Sequence, residues 1–176
     1  MPAPTGNGMT ADELAAVTEA VEAVTDPEIP VLTIKDLGIL RSVKAGENGE
    51  GVTVTITPTY SGCPAMDTIA DDIRSAIEAA GSVGEIVTTF DPPWTTHWMS
   101  DEGRQKLNDY GIAPPACGAG TRVPVALGRI TPAVAVDCPR CGSDQTERRS
   151  EFSSTACKAH YVCGSCFEPF DYFKEI

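Results

Sequence analysis

The chain is poor in positive charge. Thirteen lysines and arginines stand against 25 aspartates and glutamates, for a net charge of −12. A surface that acidic repels phosphate backbones, which excludes bulk nucleic-acid binding. The sequence also lacks any run of about 18 apolar residues, so no membrane-spanning helix is expected. The start, MPAPTGNGM, has neither a basic stretch nor an apolar one, so no secretory signal is visible and the expected compartment is the cytoplasm. Imidazoles are scarce: His97 and His160 are the only two. A cysteine nucleophile activated by histidine therefore has little to draw on. Cysteine, by contrast, is plentiful at seven residues. In a reducing compartment that points to metal ligands or reactive thiols rather than a disulfide framework.

The acidity is uneven. Residues 133–176 hold 7 acids and 5 bases, and the other 18 acids and 8 bases precede them. Periodicity and turn signals divide the chain the same way. Residues 1–9 are rich in Pro, Gly and Asn and read as a disordered tail. Thr10 with Glu13 forms a capping box. It opens a helix with Leu14, Val17, Val21 and Val24 on one face, which Pro27 is expected to end. LGILRSVK, residues 37–44, reads as a strand, AGENGEG as a turn, and VTVTITP as a strand with Val52, Val54 and Ile56 on one side. A second helix carries Met66, Ile69, Ile73 and Ile77 on one stripe and stops near Gly81. EIVTTF is a third strand, and a short helix lies near DEGRQKLNDY. Residues 113–133 are rich in Gly, Pro and Ala without periodicity and read as a linker. The fold class expected is α/β (α+β): a small mixed three-stranded sheet with packed helices over residues 10–112, then a β module over 134–176.

That last module carries the strongest motif. Cys138, Cys141, Cys163 and Cys166 form C-x2-C-x21-C-x2-C. Each pair fits a tight turn with both sulfurs facing one ion, and two such turns complete a tetrahedral shell. The reading is a zinc ribbon with a closed, structural site. The same four sulfurs suit a single iron atom that would carry electrons. Cys157 and His160 lie between the pairs and read as neighbours rather than ligands. Cys117 falls in the linker and has no partner motif.

Upstream, Cys63 follows a strand and precedes Pro64. Proline favours the first helical position, which places Cys63 at the N-cap, where the helix dipole and free N–H groups favour a thiolate. Asp26 and Glu28 lie in a proline-bounded loop that would approach Cys63 if it folds over the end of the second strand.

DPEIPVLTIKDLGILRSVK, followed by VTVTITPTYSGCPAM and a helix, resembles the iron–sulfur assembly domain shared by SufT-like proteins and cytosolic iron–sulfur targeting factors, over about residues 10–92. The continuation resembles the D-subunit family of the ring 1,2-phenylacetyl-CoA epoxidase system of phenylacetate degradation. It runs DPPWTTHWMSDEGRQKLNDYGIAPP, CPRCGS and FSSTACKAHYVCGSCFEPFDYFK. The resemblance implies a non-catalytic accessory protein that helps assemble or deliver the iron–sulfur cluster of the system's flavin reductase. It implies partners among the other components of that complex, the reductase first. Asp26, Pro27 and Glu28 match the family's Asp-Pro-Glu word, and Cys63 matches its single cysteine, which would bind a transient cluster. His97 departs from the acid expected in that Trp-Thr-Thr-x-Trp word. One thiolate is too few for a tightly held cluster. A homodimer supplying two such cysteines, or a partner supplying the rest, would complete the shell. The alternative is an electron-transfer or structural component of the oxygenase, with iron in the four-cysteine site. Trp94, Trp98 and Tyr110 would anchor a partner or cover the sheet edge.

Overall fold

The computed structural model describes residues 9–46, 51–115 and 136–176. Most of the expected tail and linker, and Cys117, lie outside the described residues. The chain packs as two compact units, Met1–Gly103 and Arg104–Ile176. The division falls inside a helix, whereas composition placed the end of the first module at residue 112. No helix among the described residues is long and apolar enough to cross a membrane.

The first unit begins with α1, Ala11–Glu22. Thr10 caps it: its hydroxyl accepts from the Glu13 N–H while the Glu13 carboxylate accepts from the Thr10 N–H at 2.7 Å. Two of the helix's orphan donors are thereby satisfied. The helix stops at Glu22, before the expected end at Pro27. Tertiary pairing explains the early stop. Ile34 N–H donates to the Val24 carbonyl and Asp26 N–H to the Leu32 carbonyl, both at 2.9 Å. Residues 24–34 thus close a loop on themselves and cannot continue the helical ladder.

A mixed three-stranded sheet follows, in the order β1–β2–β3. β1 is Leu40–Ala45, β2 is Val52–Ile56 and β3 is Gly84–Thr88. β1 pairs antiparallel with β2, and β2 pairs parallel with β3. Strand β1 starts later than its apolar alternation suggests. Leu37, Gly38 and Ile39 are spent on a turn in which Ile39 N–H reaches the Ile34 carbonyl at 2.9 Å. The parallel pair requires a crossover, supplied by α2, Met66–Ala79. Its Ile69, Ile73 and Ile77 recur at helical spacing and are fully buried. They belong to the core that takes up Val52, Val54 and Ile56 of β2. Each such side chain contributes about 1.5–3 kcal/mol on burial. Helix α1 packs on α2 and β1.

Helix α3, Asp101–Tyr110, runs across the division. The second unit is a four-stranded sheet in the order β4–β7–β6–β5. β4 is Ile112–Ala113, β5 Thr146–Ser150, β6 Lys158–Cys163 and β7 Pro169–Phe173. Strands β5, β6 and β7 form an antiparallel meander, and β4 joins β7 in parallel. The two residues of β4 carry no signal in a Gly/Pro-rich segment. Pairing with β7 alone makes them a strand. The core gathers Ala113, Val136, Ala159, Tyr161, Phe170 and Tyr172 around Cys138 and Cys163.

Candidate metal centre and candidate cysteine site

The two Cys-x-x-Cys stretches fold as matching turns. In the first, Gly142 N–H donates to the Cys138 carbonyl at 2.8 Å; in the second, Phe167 N–H donates to the Cys163 carbonyl at 3.1 Å. Both residues following the last cysteine are left-handed, Gly142 at φ 70° and Phe167 at φ 63°. The Ser143 and Ser165 hydroxyls tie the turns together at 2.7 Å. The four sulfurs converge, all within 4.8 Å of one another. Cys138 Sγ is 3.7 Å from Cys166 Sγ, and Cys141 Sγ is 3.6 Å from Cys163 Sγ.

Metal–sulfur bonds of about 2.3 Å in a tetrahedron imply edges of about 3.8 Å. The residues therefore fit a four-thiolate metal ion, and among the described residues no other donor group joins them. The Cys163 thiol is held down to about 6, first by the Cys166 N–H and also by the Ser165 N–H at its sulfur, against the opposing effect of burial. Cys166 is pushed up to about 12: the Glu168 N–H lowers it, but burial and its three neighbouring thiols outweigh that. Four thiols this close hold fewer than four negative charges unless a cation joins them.

Cys157 immediately precedes β6, while Cys163 ends it. That puts about 17 Å of strand between Cys157 and the cluster. Its sulfur lies 3.1 Å from the Thr155 hydroxyl. His160 instead faces Asp171, with Nδ1 3.6 Å from a carboxylate oxygen.

In the first unit, Cys63 is half-buried and forms no disulfide with a described cysteine. It is not the N-cap. That position belongs to Ala65, which caps with no side-chain bond, and the Met66 N–H turns back to the Cys63 carbonyl at 3.4 Å. The proline consumed an extra turn before the helix, so the dipole argument for Cys63 weakens by two residues.

A chain of backbone bonds ties the loop after α1 to the end of β2. Val24 is bonded to Ile34, Ile34 to Ile39, and the Ile39 carbonyl accepts from Thr57 N–H at 2.9 Å. Thr57 directly follows β2, so this is the carboxyl end of the parallel strands, where sites form in α/β sheets. Glu28 is exposed there, while Asp26 is buried. One Asp26 carboxylate oxygen accepts from the Glu28 and Ile29 N–H groups, both at 2.8 Å. Asp26 thus shapes the loop that presents Glu28. Asp26→Ala strands two backbone donors, one of them buried, and is expected to cost about 1–3 kcal/mol. Chemical denaturation checks this. An unchanged midpoint would show that the carboxylate does not hold the loop.

Sequence reasoning missed Asp36 and Thr57. Asp36 is buried; it exchanges hydrogen bonds with Thr33 at 3.0 Å in each direction and accepts from the Ser100 hydroxyl at 3.2 Å. The Thr-x-x-Asp spacing of a capping box was its signal. Thr57 Oγ1 is buried with no hydrogen-bond partner among the described residues. No sequence signal marks it. Trp94 is buried, with its indole N–H on the Leu37 carbonyl at 2.9 Å. Trp98 carries the Arg41 guanidinium 3.5 Å from its ring centre. These tryptophans brace the Leu37–Ile39 turn and the start of β1. Tyr110 is exposed.

Both modules match family models. Residues 14–87 match the model described as an iron–sulfur cluster assembly protein, and residues 123–174 the model described as the PaaD zinc beta ribbon domain. An Escherichia coli (strain K12) protein, provisionally named as the D component of 1,2-phenylacetyl-CoA epoxidase, is 49% identical over 157 residues, covering 87% of each chain. The chain belongs to the PaaD family. Two further relatives are shorter. A Porphyromonas gingivalis protein named Fe-S protein maturation auxiliary factor is 40% identical over 52% of this chain and 87% of its own. The Bacillus subtilis factor YitW, of the same description, is 36% identical over 46% of this chain and 79% of its own. This PaaD-family chain is about twice the length of the region it shares with those two factors. It also carries the four-cysteine ribbon.

Proposed function

We propose that this protein is a non-catalytic accessory factor of a phenylacetyl-CoA epoxidase system that assists iron–sulfur cluster assembly or delivery to the system's reductase. One observation carries the reading. A chain 49% identical over 87% of its length to an epoxidase D component also matches an iron–sulfur assembly family over residues 14–87. The names of the two shorter relatives support the same role. In this reading Cys63 is a ligand of a transient cluster, Glu28 lies beside it, and Asp26 holds the loop. A second Cys63, from another copy, or ligands from the reductase, complete the shell. The four ribbon cysteines, Cys138, Cys141, Cys163 and Cys166, hold a structural zinc ion, and the protein works in the cytoplasm with no nucleic acid or membrane.

The test is the iron–sulfur content of the reductase in cells with this protein, without it, and with Cys63→Ser. Content is expected to fall in both altered strains. Full content with failed oxygenase turnover would sink the maturation role. The second reading is electron transfer, and the sulfur geometry favours it equally, because an S4 tetrahedron suits iron as well as zinc. A red protein as purified, with iron matching the chain in amount, would decide for it.

A further inference from the structure

We infer that β3 is an interface strand, pairing antiparallel with β3 of a second copy about a two-fold axis at Ile86. This stands apart from the maturation reading. An unpaired sheet edge templates unwanted strand addition, so natural edges are guarded by bulges, charges or shortness. The described residues have four such edges. β1 is irregular between Leu40 and Ser42 and exposes Arg41 and Lys44. β4 is two residues long. β5 exposes Glu147, Arg148 and Arg149 and is irregular before Ser150. β3, GEIVT, has no proline or register shift, and its one charge is the exposed Glu85. Its line is also apolar at the surface: Val83, Val87 and Phe90 are 68%, 38% and 56% exposed.

The hydrogen-bond pattern selects the register. Val52 N–H donates to the Val83 carbonyl, and Thr89 N–H to the Ile56 carbonyl. Backbone groups alternate along a strand, so the odd residues face β2. Gly84, Ile86 and Thr88 point their N–H and C=O groups outward. Centring the axis on Ile86 pairs Ile86 with its copy and Gly84 with the copy's Thr88, so every outward group of the five-residue strand is bonded. Glu85 then falls opposite the copy's Val87, and no like charges stand directly opposite each other. Centring on Glu85 would set two carboxylates face to face, and centring on Val87 would leave Gly84 beyond the copy's strand. The result is a closed six-stranded sheet whose two outer edges are the guarded β1 strands.

This register makes a charge-specific prediction. Val87→Glu places two Glu–Glu pairs across the axis, and Val87→Lys places two Lys–Glu pairs there. Sedimentation across a concentration series, on the full metal-loaded chain, is the readout, with circular dichroism to verify folding. Wild type is expected to dimerise. Val87→Glu should associate about tenfold more weakly, and Val87→Lys as well as wild type or better. A wild type that stays monomeric at every concentration overturns the inference and leaves the edge to a different protein. A dimer that ignores both substitutions, or responds alike to both, overturns it as well.

Discussion

Stripping the metal from the four-cysteine site, or replacing Cys163 with Ser, is expected to unfold the second unit while the first stays folded. Cys138 and Cys163 are part of that unit's core, Cys166 packs against it, and Cys141 lies at its surface. Cys138 and Cys163 are buried among Val136, Tyr161, Phe170 and Tyr172, and among the described residues of the unit only Leu107, Ile112 and Phe173 add further large buried apolar side chains. Below a certain size, a core cannot offset chain entropy without a staple. A structural four-thiolate site contributes an apparent ~10–16 kcal/mol at neutral pH, and most of that appears as folding free energy. The first unit has its own buried set in Leu32, Ile34, Ile56, Ile69, Ile73 and Ile77. Backbone amide spectra of the full chain, before and after chelation, separate the two. Signals from residues 136–176 should collapse toward random-coil positions, and those of residues 10–100 should hold. A second unit that keeps its dispersion without metal would show that the ribbon folds on apolar burial alone. Measured metal content should be one ion per chain.

The second large effect is at Gly38. Gly38→Ala is expected to destabilise the first unit by about 2–5 kcal/mol, from left-handed strain and overpacking together. Gly38 has φ 71°. A Cβ there would lie 2.5 Å from the Trp98 carbonyl oxygen and 2.7 Å from its Cβ. The backbone cannot yield cheaply on that side, because the same loop accepts the Trp94 indole N–H at Leu37. The expected readout is a lower denaturation midpoint with an unchanged denaturant slope. If Gly38 matters only for stability, an independently stabilised Gly38→Ala chain should support reductase cluster content as wild type does. A midpoint within error of wild type would mean that Trp98 does not pack against the Leu37–Ile39 turn.

Several features were legible in the sequence because local physics decides them. The Thr10–Glu13 box, the Val52/Val54/Ile56 alternation and the Ile69/Ile73/Ile77 stripe each follow from a period or a cap within a few residues. The spacing of Cys138, Cys141, Cys163 and Cys166 is of the same kind, since a Cys-x-x-Cys turn is itself a local structure. The resemblance to the epoxidase D-component family rested on such words as well. Other features depended on partners distant in the chain. Helix α1 ends early because Val24 and Asp26 bond to Ile34 and Leu32. Ile112–Ala113 form a strand because β7 is beside them. The cap of α2 moved from Cys63 to Ala65 because the turn after Tyr60 took up Cys63 and Pro64. Nothing in the sequence marks Thr57 as buried without a hydrogen-bond partner among the described residues, or β3 as an edge with a single charge, since strand order is set by contacts among all three strands. The sequence by itself determined which residues could ligate metal and which faces were apolar. Tertiary structure alone decided that the turn before β1 bonds to the residue after β2, and which strands stand at the sheet edges among the described residues, because both depend on hydrogen bonds between segments distant in the chain.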